Sequence, residues 1–172
     1  MPNQTLNAIA ATVGTVLISA CTAHAEPPKF PDLHAFQSVD PAPYTAPSRA
    51  GGATYFTTPD GLQCNIPQPS RSGGHVSAGC AGKLPGLPED APRGNEGCSQ
   101  VASPTLLPTD TGPYTFQSGT GCPILTTPLL DVGQKITMGD ITCLVGADRL
   151  TGCIDPVLNR GFLLQPSGSR TF

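Results

Sequence analysis

The chain has 172 residues, enough for one domain and short for two. Only 12% of them are charged, Gly and Pro number 20 each, there are seven cysteines, and tryptophan is absent. Nine basic residues against twelve acidic ones exclude the cationic surface of a nucleic-acid binder, and the Pro-free Ala/Glu/Lys/Leu runs of coiled coils and helical bundles are missing.

Residues 8–20 (AIAATVGTVLISA) are an uncharged stretch of thirteen. A bilayer-spanning helix takes about 20 residues, so this one suits the core of a secretory signal instead. Ala23-His24-Ala25 offers a small-x-small cleavage site, which predicts a signal peptide over 1–25 and a mature chain from Glu26. The alternative is a lipobox, Ile18-Ser19-Ala20-Cys21, with Cys21 lipidated and the protein tethered to a membrane. Residues 1–7 carry no Lys or Arg, which fits neither export route well. No other apolar stretch approaches membrane length, so no transmembrane helix is expected in the mature chain.

Residues 26–52 hold Pro27, Pro28, Pro31, Pro41, Pro43 and Pro47, a density that blocks helix and central strand. They also hold Phe30, Leu33, Phe36 and Tyr44, of little use to an inert spacer. An extended arm packed across the domain is expected, with a recognition segment for a partner as the alternative.

From residue 53 onward the texture is short strands divided by turns. Candidate strands are 53–57, 62–66, 75–80, 114–117, 123–127, 134–138, 141–145, 150–154 and 162–165. Pro59-Asp60-Gly61 is a turn with a mechanism, because Pro presets φ and Gly accepts positive φ. Residues 81–110, with Pro85, Pro88, Pro92, Pro104 and Pro108, read as a long irregular stretch. Short helices could sit near 105–107 or 128–131. The pattern predicts an all-β domain over 53–172, a compact disulfide-braced sandwich or small barrel of about eight short antiparallel strands.

Setting Cys21 aside leaves Cys64, Cys80, Cys98, Cys122, Cys143 and Cys153, an even set that reads as a disulfide framework. The closest pair is ten residues apart, without the C-x2-4-C spacing of zinc sites, and there is no C-x-x-C redox motif. Folding 141–145 and 150–154 about Gly146-Ala147-Asp148-Arg149 places Cys143 opposite Cys153, within reach of a bridge. The segment 61–80 has the same plan and pairs Cys64 with Cys80, which leaves Cys98 for Cys122.

Four segments carry a family pattern: Pro28-Lys29-Phe30-Pro31-Asp32-Leu33, the run from Tyr55 to Cys64, Leu84-Pro85-Gly86-Leu87-Pro88, and a C-terminal run. That run starts at Gly139-Asp140-Ile141-Thr142-Cys143, continues through Thr151-Gly152-Cys153 and Gly161-Phe162, and ends in Gln165-Pro166-Ser167-Gly168-Ser169. In these segments the chain resembles a group of small exported proteins of mycobacteria and related actinobacteria. The resemblance implies export and a compact β domain. Such relatives look like ordinary secreted proteins, which implies cleavage after Ala25. It brings no catalytic residues with it, and it marks Cys98 and Cys122 as particular to this member.

A catalytic constellation is not legible. A Ser-His-Asp triad would need His34, which lies in the Pro-rich arm, or His75, which follows Ser72-Gly73-Gly74 in a loop; neither meets a G-x-S-x-G elbow. Asp60, Glu89, Asp90, Glu96, Asp110, Asp131, Asp140, Asp148 and Asp155 are scattered, mostly at turns where Asp accepts backbone hydrogen bonds. No calcium loop and no phosphate-binding glycine pattern is present. No residue is therefore assigned a catalytic, metal or cofactor role, and no cofactor is expected. The functional expectation is an exported, non-catalytic binding or cell-envelope-associated module, contacting a protein or envelope component through the arm or the 81–110 loop. The alternative is a secreted hydrolase whose site sequence does not show; a protease inhibitor has no loop sequence to select it.

Overall fold

The computed structural model describes residues 29–46, 52–68, 75–103 and 112–172. The expected signal segment, both processing sites with Cys21, and the candidate short helix at 105–107 lie outside the described residues. Within them the chain is all-β. The strands are β1 (Gln37–Ser38), β2 (Thr45–Ala46), β3 (Ala53–Thr57), β4 (Gln63–Pro67), β5 (Gly79–Gly82) and β6 (Ser99–Ala102). They continue with β7 (Thr115–Ser118), β8 (Gln134–Met138), β9 (Ile141–Val145), β10 (Thr151–Asp155), β11 (Arg160–Leu164) and β12 (Arg170–Thr171).

These twelve strands make two six-stranded sheets, one ordered β2-β3-β4-β5-β6-β7 and the other β1-β8-β9-β10-β11-β12. The β1–β8 pair is parallel and every other strand pair is antiparallel. The sheets pack face to face around one core, a disulfide-braced sandwich. Eight of the strands correspond to expected ones. Four were not foreseen: β1 and β2 in the arm, β12 at the C-terminus, and β6 in the middle of the stretch read as irregular. The candidate strand at 123–127 forms no strand, and 128–131 is not helical.

Register explains the core. In the first sheet Phe56, Cys64, Cys80, Val101 and Phe116 lie in one row across β3 to β7. In the second, Ile136, Cys143, Cys153, Phe162 and Thr171 lie in one row across β8 to β12. Each row is stapled at its centre. Cys64 bonds Cys80 with Cα atoms 4.1 Å apart, and Cys143 bonds Cys153 with Cα atoms 4.0 Å apart. The third bridge, Cys98–Cys122, joins the approach to β6 to the segment after β7, with Cα atoms 5.2 Å apart. The framework inferred from spacing is the one observed.

The arm is part of the fold. Gln37 N–H donates to Gly133 O (2.8 Å) and Val39 N–H to Lys135 O (3.0 Å), so β1 edges one sheet, while β2 edges the other. On the outer face of the second sheet, Leu144 and Leu163 are fully buried but stand apart from the main core. Glycine makes room over them. A Cβ on Gly152 would lie 2.9 Å from both Phe30 Cε2 and Leu163 Cδ1. Phe30 in turn tilts against Phe172, with ring centroids 6.0 Å apart. Lys135 Nζ donates to Leu33 O (2.6 Å) and fixes the arm's first turn. Tyr44 packs against the main core and its hydroxyl donates to Leu129 O (2.9 Å). Elsewhere, Ser169 N–H donates to Gly86 O (2.7 Å) and Ser169 Oγ donates to Pro85 O, so 84–88 docks on 165–169.

A buried polar clamp ties the sheets together at one end. Arg160 is 4% exposed. Its Nε lies 3.7 Å from Asp155 Oδ2, Nη1 donates to Gly112 O, and Nη2 donates to Ser77 Oγ (3.0 Å) and Val76 O (3.4 Å). Its guanidinium also sits 5.5 Å from the centroid of the Tyr114 ring, which packs edge-on against Phe162. Tyr114 Oη accepts from Ala78 N–H (3.1 Å). Burial pushes the Tyr114 hydroxyl above its ordinary pKa of 10.0, against smaller opposing effects of the Ala78 hydrogen bond and the Arg160 charge.

Candidate interaction surface

At the other end of the sandwich the sheets meet through loops. The β3–β4 turn closes as Gly61 N–H donates to Thr58 O (2.9 Å), and Gly61 takes φ 85°, the conformation its sequence anticipates. Thr58 Oγ1 organises the turn: it accepts from Leu62 N–H (3.0 Å) and donates to Asp60 Oδ1 (2.6 Å). Facing it, the β9–β10 hairpin turns at Asp148 and Arg149, with φ values of 54° and 60°. Two successive positive φ angles match the right-handed twist of a hairpin, and Leu150 N–H donates to Ala147 O (3.1 Å) to close it. Arg149 Nε donates to Asp60 Oδ2 (3.3 Å), an ion pair between the two sheets. Its Arg149 side chain is 52% exposed, so it contributes little stability, about 0–1 kcal/mol.

Between these loops lies a cleft of about 190 Å³ lined by Pro59, Asp60, Val132, Val145, Asp148 and Arg149. Val132 belongs to the segment that runs from Cys122 to β8. That segment is pinned from below. Thr57 N–H donates to Pro128 O and Leu130 N–H to Thr57 O, both 2.9 Å. Gln63 Nε2 donates to Thr57 Oγ1 (2.7 Å), the Thr57 and Thr127 hydroxyls meet at 2.7 Å, and Thr127 Oγ1 donates to Gln63 Oε1 (3.3 Å), a closed ring of hydrogen bonds. Leu130 is fully buried. Its neighbours are not: Ile124 is 97% exposed, and Leu125, Leu129 and Val132 are about half exposed. Pro123 and Pro128 lack the N–H that strand pairing would use, so the apolar run read as a strand becomes a ledge on the surface.

The residues weighed for chemistry are dispersed. His34 lies exposed in the arm, where its backbone N–H donates to Asp32 Oδ1 (2.9 Å). His75 is half-buried just before β5 and forms no ion pair with a described carboxylate. No group of three or more His, Cys, Asp or Glu gathers among the described residues. The aspartates mostly act as turn residues. Asp40 Oδ1 accepts from Ala42 N–H, Asp131 Oδ1 from Val132 N–H, and Asp155 Oδ1 from Val157 and Leu158 N–H. Glu89, Glu96, Asp90 and Asp140 are exposed, and Asp110 lies outside the described residues. The ledge and the Asp60–Arg149 pair were not legible beforehand, because their partners are remote in sequence. Comparison with protein-family models, curated proteins and solved structures returns no match.

Proposed function

We propose that the protein is an extracytoplasmic binding module whose contact surface is the 124–132 ledge and its adjoining cleft, with a partner protein as ligand. The observation that carries this reading is the concentration of exposed apolar side chains. Of five large hydrophobic residues exposed among the described residues, four are Ile124, Leu125, Leu129 and Val132. Contiguous exposed apolar patches on otherwise polar surfaces mark interaction sites. Residues 127–130 of the ledge are pinned by hydrogen bonds, which lowers the ordering cost of binding there. The arm, expected as one contact element, is occupied with its own domain: Phe30 against Phe172 and Tyr44 against Leu129.

Cysteine chemistry supports the extracytoplasmic part of this reading. Three disulfides persist where the surroundings are oxidising, and no helix among the described residues is long and apolar enough to cross a membrane. The expected signal peptide, with the Cys21 anchor as its alternative, and the resemblance to small exported actinobacterial proteins agree with that placement.

The test compares the wild-type chain with an Ile124→Ser/Leu129→Ser variant as immobilised baits for envelope extract. Both residues are exposed, so the two baits should melt within a few degrees of each other. Loss of a discrete captured protein by the variant supports the reading. An identical set of captured proteins overturns it.

A further inference from the structure

We infer that this surface takes an extended, cationic stretch of a partner polypeptide, seating one aliphatic side chain in the cleft between Pro59 and Val132. The inference rests on the ledge being the contact surface, and adds the chemistry of what lies on it.

Size comes first. At about 190 Å³ the cleft is smaller than the roughly 300–1,000 Å³ that holds a drug-sized ligand, and suits a single side chain. Pro59, Val132 and Val145 give it apolar walls, so the chain it accepts there is aliphatic. Ile124, Leu125 and Leu129 precede Val132 on the same exposed segment, whose backbone from Ile124 to Val132 can span at most about 28 Å. The occupant is thus a linear segment no longer than that, with apolar side chains towards Leu125 and Leu129.

Charge selects among linear segments. Asp60 is occupied by Arg149 and Thr58. Asp148, which lines the cleft, is exposed and in no ion pair with a described residue, and so is Asp131, the residue before Val132 in the chain. Within the cleft's own lining Asp148 is thus the carboxylate left for a ligand cation, in a chain of net charge −3. That field attracts basic side chains next to the aliphatic anchor and repels anionic lipid or nucleic acid.

The probes are capped octapeptides of alternating Leu and Lys, alternating Leu and Glu, and alternating Ser and Lys. They are titrated into the full chain with its disulfides formed, following amide shifts by NMR and the anisotropy of labelled peptide. The Leu–Lys peptide should bind, with shifts centred on Val132, Gly146 and Asp148, and bind more tightly at low salt than at high. Val132→Phe, which fills the cleft from an exposed position, should weaken it at least about tenfold. Asp148→Asn should weaken it about two- to fivefold; Asn also tolerates positive φ, so the turn survives. Equal binding of the Leu–Glu or Ser–Lys peptide, an unaffected Val132→Phe variant, absence of shifts at millimolar peptide, or capture by phosphatidylglycerol vesicles would each overturn the inference. If the Ile124→Ser/Leu129→Ser bait loses its partner while no Leu–Lys peptide binds, the peptide chemistry is wrong and the ledge stands. If the bait also captures as wild type, both fall.

Discussion

Replacing Arg160 by Met should be among the most damaging single changes in this domain. Methionine keeps much of the volume and removes the charge and the donor fork. With Nε 3.7 Å from Asp155 Oδ2, the gross attraction is about 4.5 kcal/mol at an effective dielectric of about 20. Both side chains are at most 5% exposed, so solvent screens the pair weakly, while desolvation offsets part of the attraction. Arg160→Met leaves Asp155 buried without its cation, and Gly112 O, Val76 O and Ser77 Oγ without this donor. Leaving one charge of a buried pair uncompensated costs about 3–5 kcal/mol, a large share of the roughly 5–15 kcal/mol that holds a domain folded. The midpoint of thermal unfolding should fall by about 6–20 °C. Urea unfolding at neutral pH, followed by circular dichroism, measures the change. The paired variant Asp155→Asn/Arg160→Met removes both charges, and its Asn oxygen can still accept from Val157 and Leu158. It should be more stable than Arg160→Met alone by about 1 kcal/mol or more. A loss below about 1 kcal/mol for Arg160→Met, or simple additivity of the two single changes, would refute the clamp.

Tyr114 gives the domain an alkaline weakness. Its folded pKa is raised by burial, so above about pH 10 the unfolded chain releases the proton first and stability falls with pH. Urea midpoints for wild type should decline from pH 9.5 to 11, and Tyr114→Phe, although less stable at neutral pH, should lose that part of the decline. Removing the third bridge by Cys98→Ala/Cys122→Ala frees a loop of sequence separation 24, worth about 3.5 kcal/mol in chain entropy. Urea titration should show a loss of about 2–3.5 kcal/mol, and no loss would mean the bridge is idle. The two buried glycines of the second sheet should differ. A Cβ on Gly152 meets movable side-chain ends of Phe30 and Leu163, whereas one on Gly161 would lie 2.4 Å from the Cys153 carbonyl. Gly152→Ala should cost about 1–3 kcal/mol and expose the arm to limited proteolysis. Gly161→Ala should cost more, and the reverse order in thermal melts would contradict the packing described.

Hairpins were the legible part of the fold, because their cause is local. Gly139-Asp140 and Pro59-Asp60-Gly61 announce turns, β-branched runs flank them, and register then puts Cys143 opposite Cys153 and Cys64 opposite Cys80. The hidden strands have other causes. Strand β6 reads Ser-Gln-Val-Ala, with Val101 as its one large apolar side chain, and earns its place by pairing with neighbours on both sides. The arm strands are two residues each, and Phe30 packs beside Gly152, more than a hundred residues away. The same limit hid the surface. Ile124 and Leu125 look like core because sequence shows hydrophobicity and not exposure. Arg160 looks like turn material after Asn159, yet it is buried by segments that arrive from 76–77 and 112. Ion pairs such as Asp60–Arg149 join loops of different sheets and leave no spacing to find.

Each cysteine of the framework bonds the next one along the chain: 64 with 80, 98 with 122, 143 with 153. A chain that enters an oxidising compartment N-terminus first therefore meets its correct thiol partners in order. Native connectivity is the one that vectorial oxidation produces, with no step that requires a disulfide isomerase. Most strand pairing likewise joins consecutive strands, in two meanders. The exception is the pairing of β1 with β8, which closes a loop of roughly a hundred residues. The first described segment to emerge is thus among the last to dock. Until it does, Leu163 and Gly152 lack the Phe30 ring that packs beside them, and exposed apolar surface of that kind favours aggregation.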